Sequence, residues 1–442
     1  MKIKDNSRKR KEDCVEIKCL VDKIANKTLG QLEQEGIFIF SHGVRDAEDI
    51  TSDQMVLQGI DNYYYTSNIM GYLGLGDERL VIESRFSDGE DFFFQYLLER
   101  IMEFPNIINL ETDANQNEQL FNVLLFLFPQ YLKSAVRKGI FKTYIRNEYN
   151  DGNAKGTIDV ARHIRKNIPF TGKIAYSQRE YAFDNYLVEL IRHTIEFIKS
   201  KAYGNRILES VKDEVKLVIQ SSGNYCVSDR RKIIERNQKN TVQHAYYHEY
   251  KDLQQLCLLI LRNEKHQMGA GSKRVFGILF DGAWLWEEYV NSLIGEFFYH
   301  PMNKAGNGAQ WLFAGGTGLI YPDFISRNVE NRVIADAKYK PVGNIGNKDY
   351  LQILAYMFRF DAKKGFYLYP EAGKLEETIL KLNQGSSFEK VSPRDDIYVI
   401  KHGLIIPNKE TSYKMFLERI KESEKIFIEG LQYTASPVRH KK

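Results

Sequence analysis

The sequence is poor in cysteine, and that scarcity removes several kinds of protein at once. Its four cysteines, Cys14, Cys19, Cys226 and Cys257, are irregularly spaced and form no CxxC pair. A disulfide framework and a zinc site are not expected, and a reducing, cytoplasmic setting fits best. Charge of one sign is also in short supply. The formal net charge is +4, so a nucleic-acid surface must be a local patch rather than a global field. No uncharged apolar run reaches membrane-spanning length. Met1-Lys2-Ile3-Lys4-Asp5 has no apolar stretch behind its charges, unlike a signal peptide. These absences point to a soluble protein with no membrane association. The nucleotide-binding pattern GxxxxGK(S/T) is missing as well. Gly71-Tyr72-Leu73-Gly74-Leu75-Gly76 has only the look of a phosphate loop. It lacks the Gly-Lys-Ser/Thr ending and a helix start, and reads as a glycine-bearing strand or hairpin. The chain should not hydrolyse nucleotides by itself.

With 442 residues the chain is too long for one core, and two or three domains are expected. Residues 1–13 are densely charged, with Arg8-Lys9-Arg10-Lys11 at their centre, and read as a disordered basic tail. Region 14–140 begins strand-rich, with Ile37-Phe38-Ile39-Phe40, Tyr63-Tyr64-Tyr65 and Leu80-Val81-Ile82 punctuated by Gly and Asp. Helical periodicity takes over at 92–104 and 117–128, and Pro129 is expected to kink or end the second helix. Region 141–270 is mainly helical, with long apolar-striped helices at 184–201 and 250–262; Cys257 lies on the apolar face of the latter. Its basic segment, Arg162-His163-Ile164-Arg165-Lys166, makes Arg162, Arg165 and Lys166 candidates for phosphate contact. A glycine-containing junction at 264–274 leads into the last region, 271–442.

That last region carries the chemistry. A helix over 284–298 places Trp286, Tyr289, Val290, Leu293, Ile294 and Phe297 on one stripe. Glu287 falls near the edge of the stripe and Glu288 on the opposite, solvent side. Glu287 is thus either an inward-reaching metal-site carboxylate or an ordinary helix-surface acid. A strand follows over 319–325, containing Tyr321-Pro322-Asp323-Phe324, and then a polar turn and a second strand over 332–338. Alternation puts Ile334, Asp336 and Lys338 on one face of it. Two carboxylates, or three with Glu287, suit an octahedral Mg2+ site, with Mn2+ as a substitute. A metal there would polarise a phosphodiester and activate water, while Lys338 orients that water or stabilises developing charge. Next comes a helix on which Gln352 and Tyr356, four residues apart, share a face. They, with Lys340, are candidates for contact with DNA or the metal shell.

Pro322-Asp323, Asp336-Ala337-Lys338 and Gln352-Ile353-Leu354-Ala355-Tyr356, in this order, resemble the PD-(D/E)xK nuclease superfamily with a RecB-type QxxxY helix. Phe280-Asp281 ahead of Trp286-Glu287-Glu288-Tyr289-Val290, and Ala335-Asp336-Ala337-Lys338-Tyr339-Lys340, narrow the likeness to the McrC-like nuclease subunits of McrBC modification-dependent restriction systems. Lys155-Gly156-Thr157-Ile158-Asp159 and Phe183-Asp184-Asn185-Tyr186-Leu187 are similar to elements of that family's middle region, so the resemblance covers about 140–370. It implies an α+β multidomain protein: a β-rich N-terminal domain that docks on a partner, a helical middle region, and a C-terminal α/β PD-(D/E)xK domain. It also implies a Mg2+-dependent endonuclease acting on double-stranded DNA with a McrB-like AAA+ GTPase hexamer. That partner reads the modified base, such as 5-methylcytosine, and its GTPase is stimulated by the nuclease subunit. The missing nucleotide-binding loop agrees with this division of labour, and the lack of cysteines after Cys257 argues against the iron-sulfur cluster of some related nucleases. Two other readings stay open: a stand-alone RecB-like exonuclease of repair or CRISPR adaptation, and a non-catalytic assembly factor that activates the motor.

Overall fold

The structure, a computed structural model, describes residues 1–35, 37–40, 53–87, 92–101, 116–201, 204–266, 275–301, 309–373, 378–385, 387 and 391–435. It is a mixed α+β fold with several sheets, and it divides into two compact units. One unit joins residues 1–112 to 271–442, and the other comprises 113–270. The division expected at 270 coincides with the end of the second unit, whereas the one expected at 140 falls inside it, and residues 1–112 share a unit with 271–442. The reason is a non-local pairing. Strand Phe276–Asp281 lies in a five-stranded sheet between Ile69–Leu75, to which it is antiparallel, and Phe38–Phe40, to which it is parallel. The second unit is thus an insertion between two stretches of one sheet.

The expected disordered tail is also corrected. Lys2–Lys4 pairs in parallel with Glu78–Glu83, and Arg8–Arg10 pairs with Tyr63–Thr66. Ile3 is buried with Ile17, Leu20, Ile24, Leu73 and Ile82. Between these strands, Asp5 is fully buried against Arg85, whose main-chain N–H donates to Oδ1 at 2.6 Å and whose Nη2 stands 2.8 Å from Oδ2. Charge density alone had suggested disorder, but alternate residues of the segment find buried partners. The Gly71–Gly76 segment is a strand, Ile69–Leu75, in a hairpin with Glu78–Glu83.

The unit's second sheet has six strands in the order Phe298–Tyr299, Phe324–Ser326, Val333–Ala337, Lys364–Glu371, Ser392–Ile405, Thr378–Gln384. Its three middle pairings run from antiparallel to parallel: Val333–Ala337 is antiparallel to Phe324–Ser326 but parallel to Lys364–Glu371, as that strand is to Ser392–Ile405. Parallel neighbours need a crossover, and helix Asn347–Arg359 supplies it. A side chain at Gly365 would place its Cβ 2.7 Å from Met357 Sδ, so glycine there lets this helix lie close on the sheet. Helix Gly282–Ile294 buries Leu285, Trp286, Tyr289 and Val290 and is capped by Asp281, which accepts from the N–H groups of Ala283 and Trp284. Trp286 Nε1 donates to the Leu368 carbonyl at 2.9 Å, tying helix to sheet. Phe93 and Tyr96, on helix Phe92–Ile101, pack edge-on against Tyr289; the part of the expected 92–104 helix beyond Ile101 lies outside the described residues.

The inserted unit contains helices Gln116–Val136, Tyr186–Lys199 and His248–His266, and a three-stranded sheet of Thr143–Asp151, Ile174–Ala182 and Thr157–Ile158. The first helix runs through Pro129 rather than ending there. Cys257 is fully buried and its thiol is pushed up to about 12 by burial, as expected of a core residue. Most of the 264–274 junction lies outside the described residues. Among the described residues no helix is long and apolar enough to cross a membrane.

Candidate active site

The acid-bearing strands meet with Phe324 opposite Ala335 and Ile325 opposite Ile334. A single strand over 319–325 is not formed. Thr317–Ile320 belongs to a separate hairpin with Gln310–Phe313, and Tyr321-Pro322-Asp323 breaks the chain before Phe324–Ser326. Pro322 has no N–H for a ladder, and the break turns the Asp323 carboxylate toward the neighbouring strand. There its Oδ2 accepts the Ala337 N–H at 2.9 Å. Asp323 and Asp336 are thereby brought to one end of the strand pair.

Asp336 has a side chain only 1% exposed. Lys338 Nζ stands 2.7 Å from its Oδ2, yet the approach lacks hydrogen-bond alignment, and neither oxygen of Asp336 has a hydrogen-bond partner among the described residues. Lys338 is shared: it also donates to Gln352 Oε1 at 3.3 Å and lies 3.9 Å from Asp349 Oδ1. Gln352 in turn donates from Nε2 to the Tyr356 hydroxyl at 2.6 Å. The two residues of one helix face therefore orient the lysine, and Tyr356 is buried rather than presented to a ligand. Lys340 is engaged elsewhere, with both oxygens of Asp349 at 2.8 Å. Burial alone would raise the Asp349 carboxyl, but Lys340 and the Gly346 N–H hold it below its ordinary value.

Asp323 sits in a crowd of negative charge. Burial, then Glu287, then Asp336 push its carboxyl well above the usual range, and Lys338 and the Ala337 N–H offset this only in part. Glu287 is thus close enough to act on the pair. Glu288 does not point to solvent as the helical wheel implied. Both glutamates face His300, whose Nε2 is 3.7 Å from Oε1 of each. His300 Nδ1 donates to the Asp323 main-chain carbonyl at 2.8 Å, and the ring stacks on Phe324 at 5.0 Å. Burial works against a charge on this imidazole, but contact with Glu288, the Asp323 carbonyl and Glu287 outweighs it, so its pKa is raised. Sequence reasoning missed His300. A single histidine at the end of a two-residue strand has no periodicity or motif to announce it.

The basic segment of the inserted unit divides. Arg162 is turned inward, held by the carboxylate of Glu148 at 2.5 Å and by the carbonyls of Tyr149 and Tyr176. Its guanidinium is engaged within the fold. Arg165 and Lys166 are exposed.

The donor set can be judged against Mg2+ on chemistry. Among the described residues no three His, Cys, Asp or Glu side chains stand grouped as a ready ion cage. Mg2+ asks for less, since it keeps several waters and is often held by one or two carboxylates. The Asp336 oxygens, without a hydrogen bond among the described residues and beside an Asp323 crowded by negative charge, fit such an ion.

A family model described as McrBC 5-methylcytosine restriction system component matches residues 65–370, well over half of the chain. The chain belongs to this family. The McrBC match spans Glu287, Asp323, Asp336, Lys338, Gln352 and Tyr356 together with both sheets' central strands. Among solved structures, the chain is similar to one of a half-complex from a tetradecameric assembly of Thermococcus gammatolerans McrB AAA+ hexamers with bound McrC, at 15% identity and a TM-score of 0.49, over 98% of this chain and 99% of that one. It is also similar to one of the Thermococcus gammatolerans McrBC complex, at 16% identity and a TM-score of 0.32, over 67% of this chain and 87% of that one. Comparison with curated proteins gives no match.

Proposed function

We propose that this McrBC-family chain is the DNA-cutting subunit of its restriction complex. In this reading it is a Mg2+-dependent endonuclease with a PD-(D/E)xK centre. It hydrolyses double-stranded DNA after a partner AAA+ GTPase hexamer has recognised modified DNA and translocated along it, and it stimulates that partner's GTPase. The observation that carries the reading is the meeting of Asp323, Asp336 and Lys338 beside Glu287, with neither Asp336 oxygen hydrogen-bonded among the described residues.

Asp323 and Asp336, with Glu287 alongside, would hold Mg2+, which supplies Lewis acidity toward phosphate and water when bound. The remaining work falls to the chain. The Ala337 N–H fixes the Asp323 carboxylate. Gln352 and Tyr356 hold Lys338 with its ammonium toward Asp336. From there Lys338 can donate a hydrogen bond to an attacking water or to a phosphoryl oxygen as negative charge grows on it, which is where a fixed cation lowers a barrier most. Tyr339 keeps the strand end in place: its hydroxyl is 2.8 Å from Ser84 Oγ, and a Cβ at Gly282 would stand 2.8 Å from its ring.

The test is Asp336→Ala in the full chain, assayed with a McrB-like AAA+ GTPase partner. DNA cleavage should vanish while partner binding and GTPase stimulation persist. Retained cleavage would sink the assignment of the centre, and digestion of DNA ends without any partner or nucleotide would overturn the division of labour.

A further inference from the structure

His300 lies outside every element of the nuclease motif, yet it touches three of the residues around the cutting centre. Strand Phe298–Tyr299 pairs with Ser326 and Ile325. Continuing that antiparallel register by one residue sets His300 beside Phe324, and the two rings stack with 27° between their planes. The side chain is 7% exposed, so its rotamer is fixed by packing. A carbonyl can only accept, so the 2.8 Å contact to Asp323 places the proton of Nδ1. The opposite nitrogen is aimed midway between Glu287 and Glu288, 3.7 Å from each. Nδ1 is thus committed to a carbonyl, while Nε2 faces two carboxylates.

We propose that His300 is a positioning residue of the cutting centre: it clamps the Asp323 main chain to the Glu287 carboxylate, so that both acids are set before a divalent cation arrives. The inference rests on the nuclease reading above. The physical case is that Asp323 follows a proline break rather than lying in a continuous strand. Its carboxylate has one main-chain anchor, at Ala337. Its carbonyl has another, at His300. Without the second, the peptide can rotate about the first, and the separation between the Asp323 and Glu287 oxygens is no longer fixed. Partners that orient the acids and imidazoles holding a metal commonly contribute ~10- to 100-fold in metal affinity or activity.

The experiment measures Mn2+ binding to the full chain by calorimetry, without DNA, for the wild type, His300→Ala, His300→Asn and Asp336→Asn. We expect His300→Ala to weaken Mn2+ binding about 10-fold or more. His300→Asn, whose amide nitrogen can replace Nδ1 as donor to the Asp323 carbonyl, should recover part of that loss. A space-filling role would give no such recovery of affinity. Mn2+ affinity unchanged in His300→Ala, while Asp336→Asn abolishes binding, overturns this inference and leaves the nuclease reading standing. Absence of Mn2+ binding and of cleavage in the wild type overturns both. Should His300→Ala fail to fold, His300→Asn and His300→Gln decide the matter: affinity in Gln, which cannot place its donor at Nδ1, must fall below that in Asn.

Discussion

Two buried aspartates in one compact unit have opposite surroundings. Asp5 and Asp336 are both shielded from water, and each has a cation within 2.8 Å. Asp5 is saturated: Arg85 gives it a main-chain N–H, Nε and Nη2, and the same Nη2 also donates to the Asn68 side-chain oxygen. Asp336 receives no hydrogen bond among the described residues, and its lysine divides itself among Asp336, Gln352 and Asp349. Burying a carboxylate costs several kcal/mol unless its oxygens are satisfied. On the nuclease reading proposed above, the first acid serves structure and the second is kept for a metal. The contrast separates two buried ion pairs that look alike in a distance table.

The contrast makes its sharpest claim about Asp336→Asn. Cleavage should drop by ~10³-fold or more, because the substitution removes a charge needed for transition-state stabilisation at the metal. Thermal stability should hold or rise, since a buried charge without hydrogen bonds disappears and Lys338 keeps Gln352 and Asp349. Parallel cleavage assays and melting curves check this, and a variant that is both inactive and strongly destabilised would break the comparison. Asp5→Ala should do the reverse. It strands Arg85 in a buried site, with an expected stability loss of about 3–5 kcal/mol. Cleavage per folded molecule should stay at the wild-type level, as read from denaturant unfolding beside activity normalised to folded protein.

The same pair gives a pH signature. Burial raises the Asp5 carboxyl from 3.8 to about 6, and Arg85 offsets this only in part. A carboxyl raised in the folded state binds protons more tightly there than when unfolded. Its stabilising contribution is therefore complete below pH 3.8 and is lost as pH rises through about 6. Subtracting the unfolding free energy of Asp5→Asn from that of the wild type isolates the effect. The difference should fall between pH 4 and pH 7 by ~2–3 kcal/mol; a rise over that interval would show that Arg85 dominates burial.

How much of this could be read from the chain follows the range of the interactions involved. Asp323, Asp336, Lys338, Gln352 and Tyr356 lie on consecutive elements, so spacing and alternation brought them to notice. The hydrogen bond between Gln352 and Tyr356 follows from the i, i+4 spacing alone. The joining of Phe276–Asp281 to strands more than 200 residues earlier has no local signal, so the division at 270 was legible but the union of residues 1–112 with 271–442 was not. Arg8 to Lys11 looked disordered because charge density hides strand pairing, which is made by the backbone. Arg162 looked like a phosphate ligand for a related reason: composition cannot tell an outward guanidinium from one turned onto Tyr149 and Tyr176. His300 reaches the site through space, from the end of a short edge strand. Glu288 was misplaced because the angle between successive helical residues, 100°, leaves two neighbours straddling a stripe edge able to reach the same partner.

Asp349 stands between the two extremes and carries the smallest expected effect. Like Asp5 it is well supplied with donors, two contacts from Lys340 and the Gly346 N–H at 2.9 Å. Like Asp336 it borders Lys338, at 3.9 Å. If saturation is what marks a structural acid, Asp349 belongs with Asp5 despite its position. Its support of the first turn of Asn347–Arg359 is that of a helix-capping carboxylate, so Asp349→Ala should cost about 1 kcal/mol. Its carboxyl is held below 3.8, so this contribution is present above that pH and disappears as pH falls through the lowered value. Cleavage should change by no more than a few-fold, because Gln352 still holds Lys338. A loss of activity as deep as that of Asp336→Asn would instead move Asp349 into the cutting centre and show that a fully hydrogen-bonded acid can be functional there.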